Sequence, residues 1–162
     1  MPLPKEGSLA PAFELTNDAG ETVRLKDLRG KQVVLYFYPK DDTPGCTKEA
    51  CGFRDDYSRL RRAGAVVLGV SPDSARSHTA FKEKFDIPFQ LLADEDKKVC
   101  KLYGVWGKKK FMGREYMGVR RTTFLIGPDG KIAKVFENVK ADGHSTEVLE
   151  ALGSGPVVSG QW

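Results

Sequence analysis

Residues 36–51, with the sequence YFYPKDDTPGCTKEAC, decide how the rest of the chain is interpreted. An apolar run ends at Pro39, a polar loop follows, and Cys46 lies where a helix is expected to begin. The first backbone N–H groups of a helix have no partner within the helix, and the helix dipole favours negative charge there. A thiol in that position loses its proton more readily than an isolated thiol. The stretch therefore predicts that Cys46 is a reactive thiolate.

Length and composition indicate one globular domain. The chain has 162 residues, of which 40% are hydrophobic and 30% charged, and this length is enough for one substantial core. We expect the domain to cover residues 1–153 and residues 154–162 to form a flexible tail.

The 26 basic residues are interleaved with 22 acidic ones, giving a net charge of +4, so the balance does not indicate nucleic-acid binding. Apolar runs such as residues 33–38 are too short to span a bilayer. With no leader pattern at the N-terminus, we expect a cytoplasmic protein without a membrane partner.

The cysteines and histidines do not form a recognisable ligand set. Three cysteines are an odd number and too few for a disulfide scaffold, which indicates chemistry or packing. The Cys-x4-Cys spacing of Cys46 and Cys51 is not a zinc spacing, and no Gly-rich phosphate loop is present. We therefore predict no metal and no cofactor. Cys100 lies on an amphipathic helix and is expected to be inert core, and His78 and His144, in polar helical contexts, are expected to be solvated.

The elements around Cys46 predict a β-α-β unit. Residues 33–38 and 65–71 are runs rich in β-branched and aromatic residues, typical of strands buried on both faces. Between them, residues 45–62 are expected to form one helix, with Phe53, Tyr57 and Leu60 as its apolar stripe. Such a crossover pairs its strands in parallel and is right-handed.

The rest of the chain completes a mixed sheet. We expect an N-terminal hairpin from residues 13–25, a helix capped by Asp73 or Ser74, and a second hairpin over 122–136. Shorter elements are a strand at 89–92, helices at 96–103 and 145–152, and an apolar flap or hairpin near the active site within 104–118. The predicted fold is α/β, a mixed central sheet flanked by helices on both faces with an N-terminal β-hairpin extension, and it looks like the thioredoxin fold.

Three motifs resemble those of the peroxiredoxins. Pro39-x-x-x-Thr43-x-x-Cys46, with Glu49 three residues later, closely resembles the active-site signature of that family. Residues 9–15, LAPAFEL, resemble its N-terminal motif, and residues 121–130 resemble the strand that carries its arginine. The spacing of the first two cysteines is similar to the bacterioferritin comigratory protein, or PrxQ, branch. The resemblance extends over residues 7–152, and one small departure is Gly127, where many members carry Asp.

The resemblance implies roles for the matching residues in peroxide reduction. Cys46 would attack one peroxide oxygen, and the N–H groups of Gly45 and Cys46 would face the substrate. The Thr43 hydroxyl would donate to one oxygen while accepting from another donor. Arg121 would supply a permanent positive charge; Arg120 competes for this role, but Arg121 holds the family position.

Two further residues complete the implied site. Pro39 would shield the sulfur and shape the loop, and Glu49 would orient Arg121 through a bidentate pair. The alternative for Glu49 is a solvated helix position.

The second cysteine presents a geometric difficulty. The resemblance implies that Cys51 condenses with the sulfenic acid of Cys46 to form a disulfide. Five residues of α-helix span about 7.5 Å along the axis and about 500° of rotation, beyond the ~7 Å limit between the Cα atoms of a disulfide. We therefore expect the first turns of the helix to unwind on oxidation, eased by Gly52.

The resemblance further implies that thioredoxin or a similar dithiol protein reduces the disulfide. The function predicted is reduction of hydrogen peroxide and small organic hydroperoxides by a monomeric, atypical two-cysteine enzyme. Two alternatives remain open, a protein disulfide oxidoreductase and a redox sensor that reports oxidation of Cys46.

Overall fold

The apolar run before the cysteine loop forms the central strand of the sheet. In a computed structural model, which describes residues 3–153, strand β3 covers Gln32–Phe37 and is buried from Val33 onward. It pairs in parallel with β4 (Ala65–Ser71) on one side and antiparallel with β8 (Thr122–Ile126) on the other. The predicted tail at 154–162 lies outside the described residues.

The remaining strands extend this sheet in both directions. Strand β5 (Gln90–Ala93) pairs in parallel with β4, and the N-terminal hairpin of β1 (Glu14–Asn17) and β2 (Thr22–Arg24) adds to β5 in antiparallel fashion. On the opposite edge, β9 (Ile132–Phe136) pairs with β8. The order is β2-β1-β5-β4-β3-β8-β9. The mixed sheet and both predicted hairpins are confirmed.

The helices lie against both faces of this sheet. Their bounds are α1 (Pro44–Asp55), α2 (Tyr57–Arg62), α3 (Ala75–Phe85), α4 (Lys98–Leu102) and α5 (His144–Gly153). Alternate residues of β3 enter two cores: Leu35 and Phe37 pack on the α4 side, whereas Val34 and Tyr36 pack on the side of α1, α2, α3 and α5. This alternation follows from the two-residue period of a strand. Among the described residues, none of these helices has the length and apolar composition needed to cross a membrane.

A separate hairpin occupies the segment that the sequence left least defined. Strands β6 (Trp106–Phe111) and β7 (Arg114–Val119) pair only with each other, as a two-stranded antiparallel sheet. Its turn places Met112 at φ 50° and Gly113 at φ 80°, as the tight type I′ turn of a two-residue hairpin requires. The predicted flap is therefore a β-hairpin.

The single helix predicted over residues 45–62 is wrong, because the helix is interrupted at Asp56. That residue has φ −95° and ψ 6° and separates α1 from α2. Its Oδ2 accepts a hydrogen bond of 2.7 Å from Ser145 Oγ at the start of α5. The partner is 89 residues away, so this contact could not be seen in the local pattern.

Candidate active site

Cys46 lies in the first turn of α1. Thr43 is the N-cap residue with an extended backbone, and Pro44 is the first helical residue, where its missing N–H costs nothing and its fixed φ suits a helix. The Cys46 side chain is only 1% exposed and belongs to the core that contains Tyr36 and Ala50.

The Arg121 guanidinium lies directly over this turn. A β-carbon on Gly45 would lie 2.6 Å from Nη2 of Arg121 and 3.3 Å from its Cζ. The close approach therefore depends on the absence of a side chain at Gly45. Arg121 immediately precedes β8, the strand next to β3, and this pairing brings an arginine that is 75 positions beyond Cys46 to the first turn of α1.

The competing arginine points elsewhere. A β-carbon on Gly107, in the β6–β7 hairpin, would lie 2.6 Å from Nη2 of Arg120. Consecutive side chains on an extended chain point to opposite sides. Arg121 therefore faces the Cys46 turn, and Arg120 faces the hairpin.

Glu49 contacts Arg121 through one oxygen. Nη1 of Arg121 donates to Oε1 of Glu49 at 3.1 Å, and the Glu49 side chain has no exposed surface. The prediction of a bidentate pair is wrong, because Oε2 of Glu49 is buried with no hydrogen-bond partner among the described residues. Burial raises the pKa of Glu49 to about 7, and the charge and hydrogen bond of Arg121 offset only part of this rise. Desolvation outweighs the ion pair because a single contact satisfies only part of the carboxylate.

The loop before α1 is held by its own hydrogen bonds. The Thr43 hydroxyl donates to the carbonyl of Lys40 at 2.9 Å, and the Thr43 carbonyl accepts from the N–H of Thr47 at 2.8 Å. The hydroxyl is partly exposed, and its oxygen keeps acceptor capacity. Pro39 is also partly buried and begins the loop.

Cys51 lies on the same intact helix as Cys46, and both thiols are free. Cys51 is half-buried. Because α1 is helical from Pro44 to Asp55, the five-residue separation keeps the two side chains apart. A bond between them therefore requires part of α1 to unwind.

Cys100 has the surroundings expected of an inert thiol. It is fully buried in α4, and burial, followed by the negative charge of Asp94, raises the pKa of the Cys100 thiol far above its ordinary value. The Asp94 carboxylate also accepts from the backbone N–H groups of Val99 and Cys100 at 3.1 and 2.7 Å. These contacts fix α4 and disfavour a thiolate there.

The β6–β7 hairpin reaches the electrostatic surroundings of the site. Partial burial lowers the pKa of Lys109, the positive charge of Arg121 lowers it further, and Cys46 acts in the opposite direction. Lys109 Nζ donates to the Val119 carbonyl at 3.0 Å. Phe111, Met112, Tyr116 and Met117 project from the hairpin as exposed apolar side chains.

The prediction that both histidines are solvated is wrong. His78 is 0% exposed and His144 is 1% exposed. His144 contacts the Thr123 hydroxyl at 2.8 Å and a Glu147 oxygen at 3.2 Å, and burial lowers the pKa of His144. A signal for His78 was available, because it precedes the apolar Phe81 by three residues and therefore shares its helix face.

The fold and this site define a class of protein: a thioredoxin-like domain with a buried cysteine at a helix start, covered by an arginine. The sequence profile of the AhpC/TSA family matches residues 7–135. The chain is 56% identical over 146 residues to a putative peroxiredoxin Bcp of Coxiella burnetii, covering 90% of this chain and 97% of that protein. It is 51% identical over 146 residues to peroxiredoxin Bcp of Bacillus subtilis, covering 90% of this chain and 93% of that protein.

A solved structure agrees with these relatives. The structure concerns the alkyl peroxide reduction activity of the Xanthomonas campestris bacterioferritin comigratory protein. It superposes with a TM-score of 0.83 at 38% identity, covering 87% of this chain and 90% of that one. The chain therefore belongs to the peroxiredoxin family, in its Bcp or PrxQ branch. It is a thiol-dependent peroxidase, acting on a peroxide substrate and recycled by a thiol reductant.

Proposed function

We propose that Cys46 is the thiol that attacks the peroxide and that Cys51 resolves the product. The observation that carries this assignment is the position of Arg121, whose guanidinium lies over Gly45, one residue from Cys46, and is held by buried Glu49. A guanidinium cannot lose its charge at physiological pH and therefore stabilises negative charge on sulfur and on the departing oxygen.

The first step forms a sulfur–oxygen bond. The Cys46 thiolate attacks one oxygen of the peroxide, the O–O bond breaks, and the other oxygen leaves with the electron pair and takes up a proton. The products are a Cys46 sulfenic acid and water or an alcohol. The backbone N–H groups of Gly45 and Cys46 and the Arg121 guanidinium are the donors around the reacting oxygens, and Pro39 limits access of water to the loop. The Thr43 hydroxyl, whose one proton goes to the Lys40 carbonyl, accepts a hydrogen bond from the O–H of the peroxide, and it donates to a peroxide oxygen only when it turns away from Lys40.

The second step returns the oxygen as water. The Cys51 thiol attacks the sulfenic sulfur, forming an S–S bond and releasing water. Because the intact α1 keeps the two cysteines apart, we infer that residues from Pro44 towards Cys51 unwind at this stage. A partner dithiol then reduces the disulfide by exchange and becomes oxidised itself.

The reductant, compartment and assembly follow from this cycle. We infer that thioredoxin or a similar dithiol protein is the reductant, and that the enzyme works in a reducing cytoplasm, where such dithiols are maintained. An intramolecular pair of cysteines needs no second subunit, so we propose a monomer. Hydrogen peroxide and small organic hydroperoxides are the proposed substrates, and the related Xanthomonas protein is associated with alkyl peroxide reduction.

The test is peroxide-dependent oxidation of NADPH with thioredoxin and thioredoxin reductase. We expect turnover by the wild type, none by Cys46→Ser, and in Cys51→Ser a normal first oxidation with most thioredoxin-linked turnover lost. Turnover that survives Cys46→Ser would refute the assignment. Disulfide reduction without peroxide consumption would favour a disulfide oxidoreductase, and stoichiometric peroxide loss would favour a sensor.

Peptide mapping of the oxidised protein tests the second step separately. We expect a Cys46–Cys51 link. A link from Cys46 to Cys100, or no intramolecular link, would exclude Cys51 as the resolving thiol.

A further inference from the structure

A buried polar cluster lies beneath the loop that leads to Cys46. The Asp41 carboxylate accepts hydrogen bonds from the Tyr38 hydroxyl at 2.6 Å and the Ser77 hydroxyl at 2.8 Å, and it contacts Nδ1 of His78 at 2.7 Å. We call Tyr38, Asp41, Ser77 and His78 the Asp41 cluster. The Asp41 side chain is 3% exposed and that of His78 is 0% exposed, so water does not compete for these bonds.

The partners of His78 determine its hydrogen positions. Nε2 faces the carbonyl oxygen of Leu92 at 2.9 Å and must donate, because a carbonyl only accepts. Nδ1 faces Oδ2 of Asp41, so one further proton must lie between these two atoms. Asp41 and His78 therefore hold one shared proton, and each His78 ring nitrogen has a partner. Such a buried, satisfied network specifies a single geometry.

The backbone of the loop is tied down at the same point. The N–H of Asp41 donates to Oδ2 of Asp73 at 2.7 Å, and that oxygen also accepts from the Ser71 hydroxyl at 2.6 Å. The next residue, Asp42, has a left-handed backbone with φ 57°, and its carboxylate pairs with Lys84 at 2.8 Å. A non-glycine residue keeps this conformation when its surroundings determine it.

Asp41, where the loop is held, lies close in sequence to Cys46. Asp41 is two residues before Thr43 and five before Cys46. Only residues 42 and 43 separate it from the start of α1. Cys51 follows Cys46 in the chain, and among the described residues it makes no hydrogen bond to the Asp41 cluster. A displacement of Asp41 therefore moves the Thr43 hydroxyl and the first N–H groups of α1 before it affects the second cysteine.

We propose that His78 is a positioning residue for peroxide reduction: through Asp41 it fixes the loop that presents Thr43 and the start of α1 to the substrate. The inference rests on the proposed role of Cys46 and adds to it a residue 32 positions away that touches neither substrate nor sulfur. Because misplacement by about 1 Å can cost 100-fold in rate, even a small relaxation of this loop is measurable.

Two substitutions separate the contacts of His78. In His78→Asn the side-chain amide lies near the former Nδ1 and can donate to Asp41, but nothing reaches Leu92. In His78→Gln the amide extends towards Leu92, but Asp41 loses its third partner. Each variant loses one hydrogen bond, so a purely structural role predicts similar behaviour. The positioning role predicts that His78→Gln lowers the second-order rate of Cys46 oxidation by hydrogen peroxide about tenfold, whereas His78→Asn stays within about threefold of wild type.

His144→Gln is the matched control. His144 is equally buried, and this change likewise removes a contact between Nδ1 and a carboxylate, that of Glu147, while the amide still reaches Thr123. We expect no change in peroxide rate for His144→Gln, and an unchanged rate of reduction of the oxidised enzyme by dithiothreitol for all three variants.

The outcomes distinguish this inference from the proposed function. Cys46-dependent oxidation in the wild type with equal rates in His78→Gln and His78→Asn, or an equal loss in His144→Gln, would overturn the positioning role alone. Wild-type oxidation that does not depend on Cys46 would overturn the proposed function instead. If His78→Gln does not fold, Ser77→Ala removes a single donor to Asp41; we expect a loss of rate greater than threefold, and a rate within threefold of wild type would equally overturn the proposal.

Discussion

Gly45 is the position at which a single methyl group tests the proposed role of Arg121. The β-carbon of Gly45→Ala would lie 2.6 Å from Nη2 of Arg121, whereas non-bonded heavy atoms prefer about 3.5 Å. The guanidinium must therefore move by about 1 Å. Because it is the end of a flexible side chain, it can do so without disturbing the fold, and alanine is well tolerated in a helix. The change is therefore expected to act chiefly on the site.

The expected magnitude follows from this displacement. A 1 Å misplacement of a catalytic group can cost about 100-fold, and the contact of Arg121 with Glu49, now 3.1 Å, is also disturbed. We expect kcat/KM for hydrogen peroxide to fall by about 10- to 100-fold, with the free energy of unfolding lowered only by what the weakened contact of Arg121 with buried Glu49 contributes. The coupled NADPH assay gives the first quantity and urea denaturation gives the second.

Gly107→Ala is the control for this experiment. Its β-carbon would lie at the same distance, 2.6 Å, from Nη2 of Arg120. We expect it to displace Arg120 and leave kcat/KM within about twofold of wild type. An equal loss in both variants, or no loss in Gly45→Ala, would refute the assignment of Arg121 to the reacting thiol.

Three further predictions concern the buried groups around the site. Because the pKa of Glu49 is about 7 in the folded protein and 4.5 as its ordinary value, its protonation stabilises the fold fully below pH 4.5, and this contribution is lost as pH rises through 7. Each unit of pKa difference corresponds to 1.36 kcal/mol. Between pH 5 and pH 8 we expect urea denaturation to show that the free energy of unfolding of the wild type falls by up to about 3 kcal/mol more than that of Glu49→Gln. Equal decreases in the two proteins would contradict the raised pKa of Glu49. The Tyr36 hydroxyl is buried without a partner among the described residues, so Tyr36→Phe is expected to raise the free energy of unfolding by about 1 kcal/mol, and a decrease would show that the hydroxyl is bonded in solution. Cys100 is expected to resist iodoacetamide in the native protein, in contrast to its reaction in urea, as measured by mass spectrometry; rapid native labelling would argue against its burial.

The local patterns predicted the elements that depend on neighbouring residues. Alternating or continuous apolar runs predicted β3, β4 and both hairpins, because the period of a strand is visible in a few residues. The helix start near Cys46 followed from the polar loop and Pro44. The cap of α3 was predicted as Asp73 or Ser74, and in the structure it is Ser74, whose Oγ accepts from the N–H of Ser77 at 3.1 Å.

Contacts between distant residues account for the incorrect predictions. Asp56, where the helix breaks, accepts a hydrogen bond from Ser145, and the buried His78 contacts Asp41, 37 residues earlier. A polar context in the sequence indicated solvent for both histidines. Polar side chains can be buried when their hydrogen-bonding atoms find partners across the fold.

By itself, the sequence determined that this chain forms a mixed sheet with a cysteine at a helix start. Strand period, helix capping and the easier loss of a thiol proton at a helix N-terminus are local properties, so they can be predicted from neighbouring residues. Only the tertiary structure decided what surrounds that cysteine. It placed Arg121 over Gly45 and turned Arg120 away, buried Glu49 with a single contact, and fixed the loop through Asp41 and His78. The physical reason is that charge, burial and hydrogen bonding at the site depend on which distant strands and helices are brought together.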